Sequence, residues 1–147
     1  MQKSKWLLWA FIGVALFGLT SCEFVLSSAK VETAVLAVDE EGTLPELNPQ
    51  GQWVFEPDDT FYLIVELTNA PNDTEVRAEW RYIEGAVLQE LESTEVQNGT
   101  GTVVFSLQPR EDRLWELGEY EVRLFVNDDQ KKSIKFVVSR GVFEFGA

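Results

Sequence analysis

The chain has no histidine and a single cysteine among its 147 residues. Without histidine, a Ser-His-Asp triad cannot be assembled, nor a zinc site built on histidine and cysteine clusters. One cysteine excludes an intrachain disulfide, so stability has to come from a buried core, which a chain of this length can supply. Basic residues are scarce too: 12 Lys and Arg stand against 25 Asp and Glu, a formal net charge of −13. Phosphate backbones need a cationic face, so nucleic acid is not an expected partner. The same charge opposes electrostatic docking on anionic lipid. The apolar run near the start, residues 6–19, is about 14 residues, against the roughly 20 that a spanning helix needs.

What is present begins with that run. Lys3 and Lys5 precede it, Trp6 to Leu19 carries no charge, and Leu19-Thr20-Ser21-Cys22 closes it. A basic start, a short apolar stretch and small residues make a secretory signal whose cleavage site is set at a cysteine. These residues resemble the lipobox of bacterial lipoproteins, in which a large aliphatic residue and two small ones precede an acylated cysteine. The resemblance covers only the first 22 residues. It implies that 1–21 are a removable signal peptide and that Cys22 opens the mature chain. It further implies a thioether-linked diacylglycerol on Cys22, with a third chain, such as palmitate, on its amino group. One acyl chain anchors marginally, at ~0.8 kcal/mol per buried methylene, and two or three anchor stably. The implied location is the extracytoplasmic face of the cell membrane or the outer membrane. Glu23 stands where an aspartate would be the inner-membrane retention signal, which favours the outer membrane where the organism has one.

Removing the two lysines of 1–21 leaves a mature net charge of −15. Residues 22–29 read as a lipidated tether and 30–147 as one domain. A first strand is expected from Val31 to Asp39, with Val31, Thr33, Val35 and Ala37 alternating. A long connection rich in Gly and Pro follows to Asp59, with a short strand at 53–55. Phe61, Leu63, Val65 and Leu67 form the strongest inward face. Val76, Ala78, Trp80 and Tyr82 alternate with Glu75, Arg77, Glu79 and Arg81, a half-buried strand with a charged outer face. Residues 86–96 hold one strand or two. Asn98-Gly99 reads as a type I′ hairpin leading into a strand with Val103, Phe105 and Leu107 inward. One helical turn is expected over 109–118, opened by Pro109, capped by Gly118 and burying Leu114, Trp115 or Leu117. Tyr120, Val122, Leu124 and Val126, then Ile134, Phe136 and Val138, complete a terminal hairpin around Asn127-Asp128-Asp129-Gln130. The last strand should end near Ser139 or Arg140. Beyond Gly141, the apolar tail with Val142, Phe143 and Phe145 is expected to dock on its own domain, with docking on a partner as the alternative.

Seven or more short strands without a useful amphipathic helix make an all-β sandwich or barrel the expected fold. Over residues 30–139 the pattern resembles immunoglobulin-like and fibronectin type III-like sandwiches. Trp80 falls on the strand where these folds bury a tryptophan. Leu117-Gly118-Glu119-Tyr120 looks like their tyrosine corner. Val65 and Val122 occupy the places of the paired cysteines of antibody-type domains, so the disulfide-free branch is the better analogue. The resemblance implies an antiparallel sandwich of about seven strands and fixes no function.

No catalytic residue and no cofactor is expected. With 25 acids, a carboxylate pair suited to glycoside chemistry arises by chance. Calcium has candidate oxygens at Asp39-Glu40-Glu41, Asp58-Asp59, Asn72-Asp73 and Asn127-Asp128-Asp129, none with the spacing of a known calcium loop, and turn formation explains them as well. Of Trp53, Trp80 and Trp115, only Trp53 is a candidate for an exposed sugar-stacking ring. Tyr62, Ile64 and Val104 lie opposite the core phase and would form an apolar outer patch if their strands pair, which the chain itself is expected to cover. The functional expectation is a lipid-anchored, non-catalytic envelope module with an envelope protein as partner. The rivals are a carbohydrate- or calcium-binding module and an enzyme.

Overall fold

In the strand Phe61–Thr68, the side chains of Phe61, Leu63, Val65 and Leu67 are at most 1% exposed. Tyr62 and Ile64 between them are half-buried. That period of two lays one face on a core, and it recurs through the domain. The computed structural model describes residues 29–84, 87–97 and 100–141, with no side chains for 84 and 87–97. Cys22 and the signal, the Asn98-Gly99 dipeptide and the tail after Gly141 lie outside the described residues.

Among the described residues there are nine strands: β1 (Lys30–Ala37), β2 (Glu46–Leu47), β3 (Trp53–Phe55), β4 (Phe61–Thr68), β5 (Thr74–Glu84), β6 (Val87–Gln97), β7 (Gly101–Leu107), β8 (Gly118–Val126) and β9 (Asp129–Val138). They form two sheets, one ordered β1-β4-β7 and the other β2-β3-β9-β8-β5-β6. All pairings are antiparallel except β3 with β9, which is parallel. The fold is therefore an all-β sandwich. Its core draws on both sheets: Phe61, Leu63, Val65, Leu67, Val103 and Phe105 from the small one, and Phe55, Val76, Trp80, Val122, Leu124 and Phe136 from the large one. Phe61 sits within 6 Å, centroid to centroid, of Phe55, Trp80, Trp115, Tyr120 and Phe136. Val65 and Val122 are buried on opposite sheets at 0% and 1% exposure, filling the interior without a covalent link.

Four sequence expectations change. In β1 a register shift between Val31 and Thr33 breaks the alternation. Val31 packs on the core, Ala34 and Leu36 take over the inward face, and Val35 is turned out. A bulge of this kind inserts one residue and reverses the phase beyond it. Second, β6 and β7 do not form a hairpin: β6 pairs with β5 in one sheet and β7 with β4 in the other, so the chain crosses the sandwich between them. Third, there is no helical turn over 109–118. A single turn closes there, Arg113 N donating to Arg110 O at 2.9 Å. Gly118 opens β8 at φ 142° rather than capping a helix, and Leu114 and Leu117 are exposed while only Trp115 packs inward. Fourth, the long connection holds an extra strand, β2, joined to β3 by a turn in which Asn48 Oδ1 accepts the Gln50 and Gln52 amides.

The terminal hairpin forms as expected. Val126 pairs with Asp129 across a two-residue loop, and both Asn127 and Asp128 have positive φ, 49° and 67°. That is the backbone of a type I′ turn, whose twist matches the flanking strands. β9 ends at Val138, Ser139 N donates to Phe55 O at 3.0 Å, and Gly141 has φ 71°.

Candidate functional site

Three surfaces carry chemistry beyond the core. The first is the outer face of β5, β8 and β9. Glu79 pairs across strands with Arg123 and Arg81 with Glu121, as the alternation of charges implies. Glu79 lies 3.3 Å from Arg77, 3.8 Å from Arg81 and 3.9 Å from Arg123. Glu121 accepts from Arg123 Nε at 3.0 Å and from the Ser133 hydroxyl. Arg77 also lies over the Phe125 ring, 4.1 Å from its centroid. The face is not an open solvated one: Glu79 and Glu121 are only 9% and 7% exposed among the arginines they pair with. Burial pushes the Glu121 carboxyl up. The Ser133 hydroxyl and the bond and charge of Arg123, with the charge of Arg81, outweigh that and hold it below the usual glutamate range. These groups pair with one another, which makes the network structural, although Arg81 Nε is buried at ion-pair rather than hydrogen-bond distance from Glu79.

The second surface is the outer face of the small sheet. Val35 pairs with Ile64 and Ile64 with Val104, so three β-branched side chains form one row across β1, β4 and β7. Such rows stabilise a sheet by about 0.2–1 kcal/mol per pair. The chain covers one end of the row. The turn after β1 closes through Val38 N to Thr43 O at 2.9 Å, and a Cβ on Gly42 would stand 3.5 Å from Ile64 Cδ1. Ala37, in the same phase as Val35, is thereby fully buried. The expected cover is thus partial, since Val35 and Val104 remain 38% and 40% exposed.

The third is a cavity of about 320 Å³ at the end of the sandwich, lined by Tyr82, Arg110, Arg113, Leu114, Trp115, Glu116 and Tyr120. The segment before β8 builds it. Trp115 is held by three contacts: its amide donates to Pro57 O at 2.8 Å, its Nε1 to Asp59 O at 2.8 Å, and its ring stacks on Phe61 at 4.6 Å and 16°. Below it, the Tyr120 hydroxyl donates to Glu116 O at 2.9 Å and Tyr82 to Leu117 O at 3.2 Å. The Tyr120 bond ties the corner back to its own backbone as expected. The charged half of the lining was not singled out in sequence, where 109–118 read as a core-capping helical turn.

The candidate acidic loops are spent on turns. Asp39 Oδ1 accepts the Thr43 amide at 2.9 Å, and hydrogen bonds from Thr43 hold its carboxyl below the usual range. Asp59 Oδ2 accepts the Glu56 amide at 2.7 Å, and Asn127 Oδ1 the Glu75 amide at 3.0 Å. Asp73 and Asp128 take positive φ, a conformation that Asp and Asn tolerate in tight turns. Among the described residues no group of three or more acids is placed to share a metal ion. Trp53 is half-buried against the core on β3, Trp115 packs as above, and Trp80 is 1% exposed.

No family model matches the chain, and no curated protein does. Among solved structures, the fold is similar to part of an alkylpurine DNA glycosylase of Pseudomonas fluorescens, bound to DNA containing an abasic-site analogue. The TM-score is 0.50 at 13% identity, over 77% of this chain and 31% of that one. A β-glucosidase of saponin metabolism from intestinal bacteria matches with a TM-score of 0.47 at 18% identity, over 76% of this chain and 16% of that one. The chain thus spans less than a third of either protein, and at such identity the first likeness shows a shared β-rich fold and nothing of activity.

Proposed function

We propose that the mature chain is a lipid-anchored, extracytoplasmic lipoprotein whose domain is a non-catalytic, immunoglobulin-like binding or accessory module of the cell envelope. The observation that carries this reading is Leu19-Thr20-Ser21-Cys22 behind a basic start and a short apolar run, followed within a few residues by a sandwich that opens at Lys30. A tether this short would hold the domain against the membrane. The immunoglobulin-like assignment is supported by the strand order, by Trp80 in the core of β5, by the corner bond of Tyr120, and by Val65 and Val122 on facing sheets. The partner class inferred is another envelope protein, for which the open part of the Val35–Ile64–Val104 row offers an apolar contact. In cells fed labelled palmitate, label should follow the wild-type protein and be absent from Cys22→Ser. Wild-type protein that stays unlabelled overturns the reading.

A further inference from the structure

Three kinds of group meet in the cavity at the end of the sandwich. The first is a pair of guanidiniums. Among the described residues, no carboxylate lies within ion-pair distance of Arg110 or Arg113, although the chain carries a net charge of −13 and Arg77, Arg81 and Arg123 all find one. Glu111 and Asp112 border a neighbouring hollow with the same two arginines and pair with neither. The second is the Glu116 carboxylate, which at neutral pH only accepts hydrogen bonds. The third is aromatic: the half-buried Trp115, beside Tyr82 and Tyr120, which are only 8% and 4% exposed. Both tyrosine hydroxyl protons are already given to backbone carbonyls, so Trp115 is the ring with surface to offer.

We propose that this cavity binds an acidic sugar, a pyranose carrying a carboxylate of the uronate type. Its carboxylate meets Arg110 and Arg113, its hydroxyls donate to Glu116, and its C–H face lies against Trp115. Each simpler ligand leaves part of the lining unused. Acetate or phosphate gains nothing from the Trp115 ring. A neutral sugar leaves two guanidiniums without a counter-charge. An aromatic acid brings no donors to Glu116. A guanidinium fork matches a carboxylate in geometry as well as charge. The volume, about 320 Å³, is at the lower end of ligand pockets and suits one sugar ring. The site is also largely built beforehand. The turn from Arg110 to Arg113 closes through a backbone hydrogen bond, and Trp115 is pinned at its amide, its indole N–H and its ring face, so the backbone and the ring are set before binding and only the exposed Arg110, Arg113 and Glu116 side chains have to be ordered. The assignment rests on the sandwich being a binding module and is independent of lipid on Cys22.

The test is calorimetric titration of the full-length protein in detergent with glucuronate, galacturonate, glucose and acetate. The uronates should bind with a dissociation constant of about 1 mM or tighter, and glucose and acetate at least roughly tenfold more weakly. Arg110→Gln and Arg113→Gln should each weaken uronate binding about tenfold. All three polar residues are exposed, so these variants and Glu116→Gln should melt with the wild type. No uronate binding at about 10 mM overturns the proposal. So does glucose or acetate binding as tightly, or undiminished binding in the double arginine variant. A null titration on protein that carries its lipid would remove the sugar and leave the anchor standing.

Discussion

Tyr120 and Trp80 show how single side chains hold the two sheets in place. The Tyr120 hydroxyl is buried and spans only four residues to Glu116 O, so it fixes the approach of the chain to β8. Tyr120→Phe keeps the ring contacts and removes that bond, and should cost about 1 kcal/mol in chemical denaturation. Trp80 fills the centre of the core against Phe61 and Phe136, and Trp80→Ala should cost about 3–5 kcal/mol by opening a cavity. Its indole N–H is buried with no hydrogen-bond partner among the described residues. Trp80→Phe removes that unsatisfied donor along with some volume, so it should cost clearly less than Trp80→Ala. Equal losses would place the indole N–H in a bond that matters. Glu121 sets a pH dependence. Its carboxyl is lowered in the fold, so its contribution is complete above the ordinary glutamate value of about 4.3 and is lost as pH falls through the lower folded-state value. Thermal melts across this acid range should fall more steeply for the wild type than for Glu121→Gln.

At the scale of elements, the turn from β8 to β9 is the most direct case of local chemistry setting register. Asp128 sits at φ 67°, where a Cβ is disfavoured and Asp is tolerated. Asp128→Gly should be neutral or stabilising by a few tenths of a kcal/mol, whereas Asp128→Val should destabilise by about 1–2 kcal/mol. Melting temperatures of the two variants decide it. Strands β4, β5, β7 and β8, and β9 beyond its register shift opposite Leu124 and Phe125, are legible in sequence because one face of each is buried and the period of two survives. β1 is legible as a strand but not in phase, since nothing in Val31-Glu32-Thr33 announces a bulge. Asn98-Gly99 misleads because a turn dipeptide cannot say which sheet the next strand joins. β7 goes to β4, where Phe105 faces Leu63 in register and both reach the core. The 109–118 segment carries helix-start and helix-stop residues, yet Trp115 has better partners at Pro57, Asp59 and Phe61 than a helix would give it. The arginine pair of the cavity is not legible in sequence, because Arg110 and Arg113 would be neighbours on a solvated helical turn as well, and nothing local says that Tyr82 and Trp115 border them.

For the whole molecule, the sandwich, its acidic surface and its amino-terminal motif fit one arrangement. The core needs no disulfide, since Val65 and Val122 are buried on facing sheets. The chain's net charge of −13 opposes electrostatic docking on anionic lipid, so in the proposed arrangement acyl chains on Cys22 would have to supply the anchoring. That anchor is the central claim. The measurement that reaches it most directly is mass spectrometry of the protein extracted from membranes of an expressing bacterial cell. The account expects a chain that begins at Cys22 and carries diacylglycerol on its sulfur. A chain that retains residues 1–21, or one that begins elsewhere with Cys22 unmodified, would contradict it.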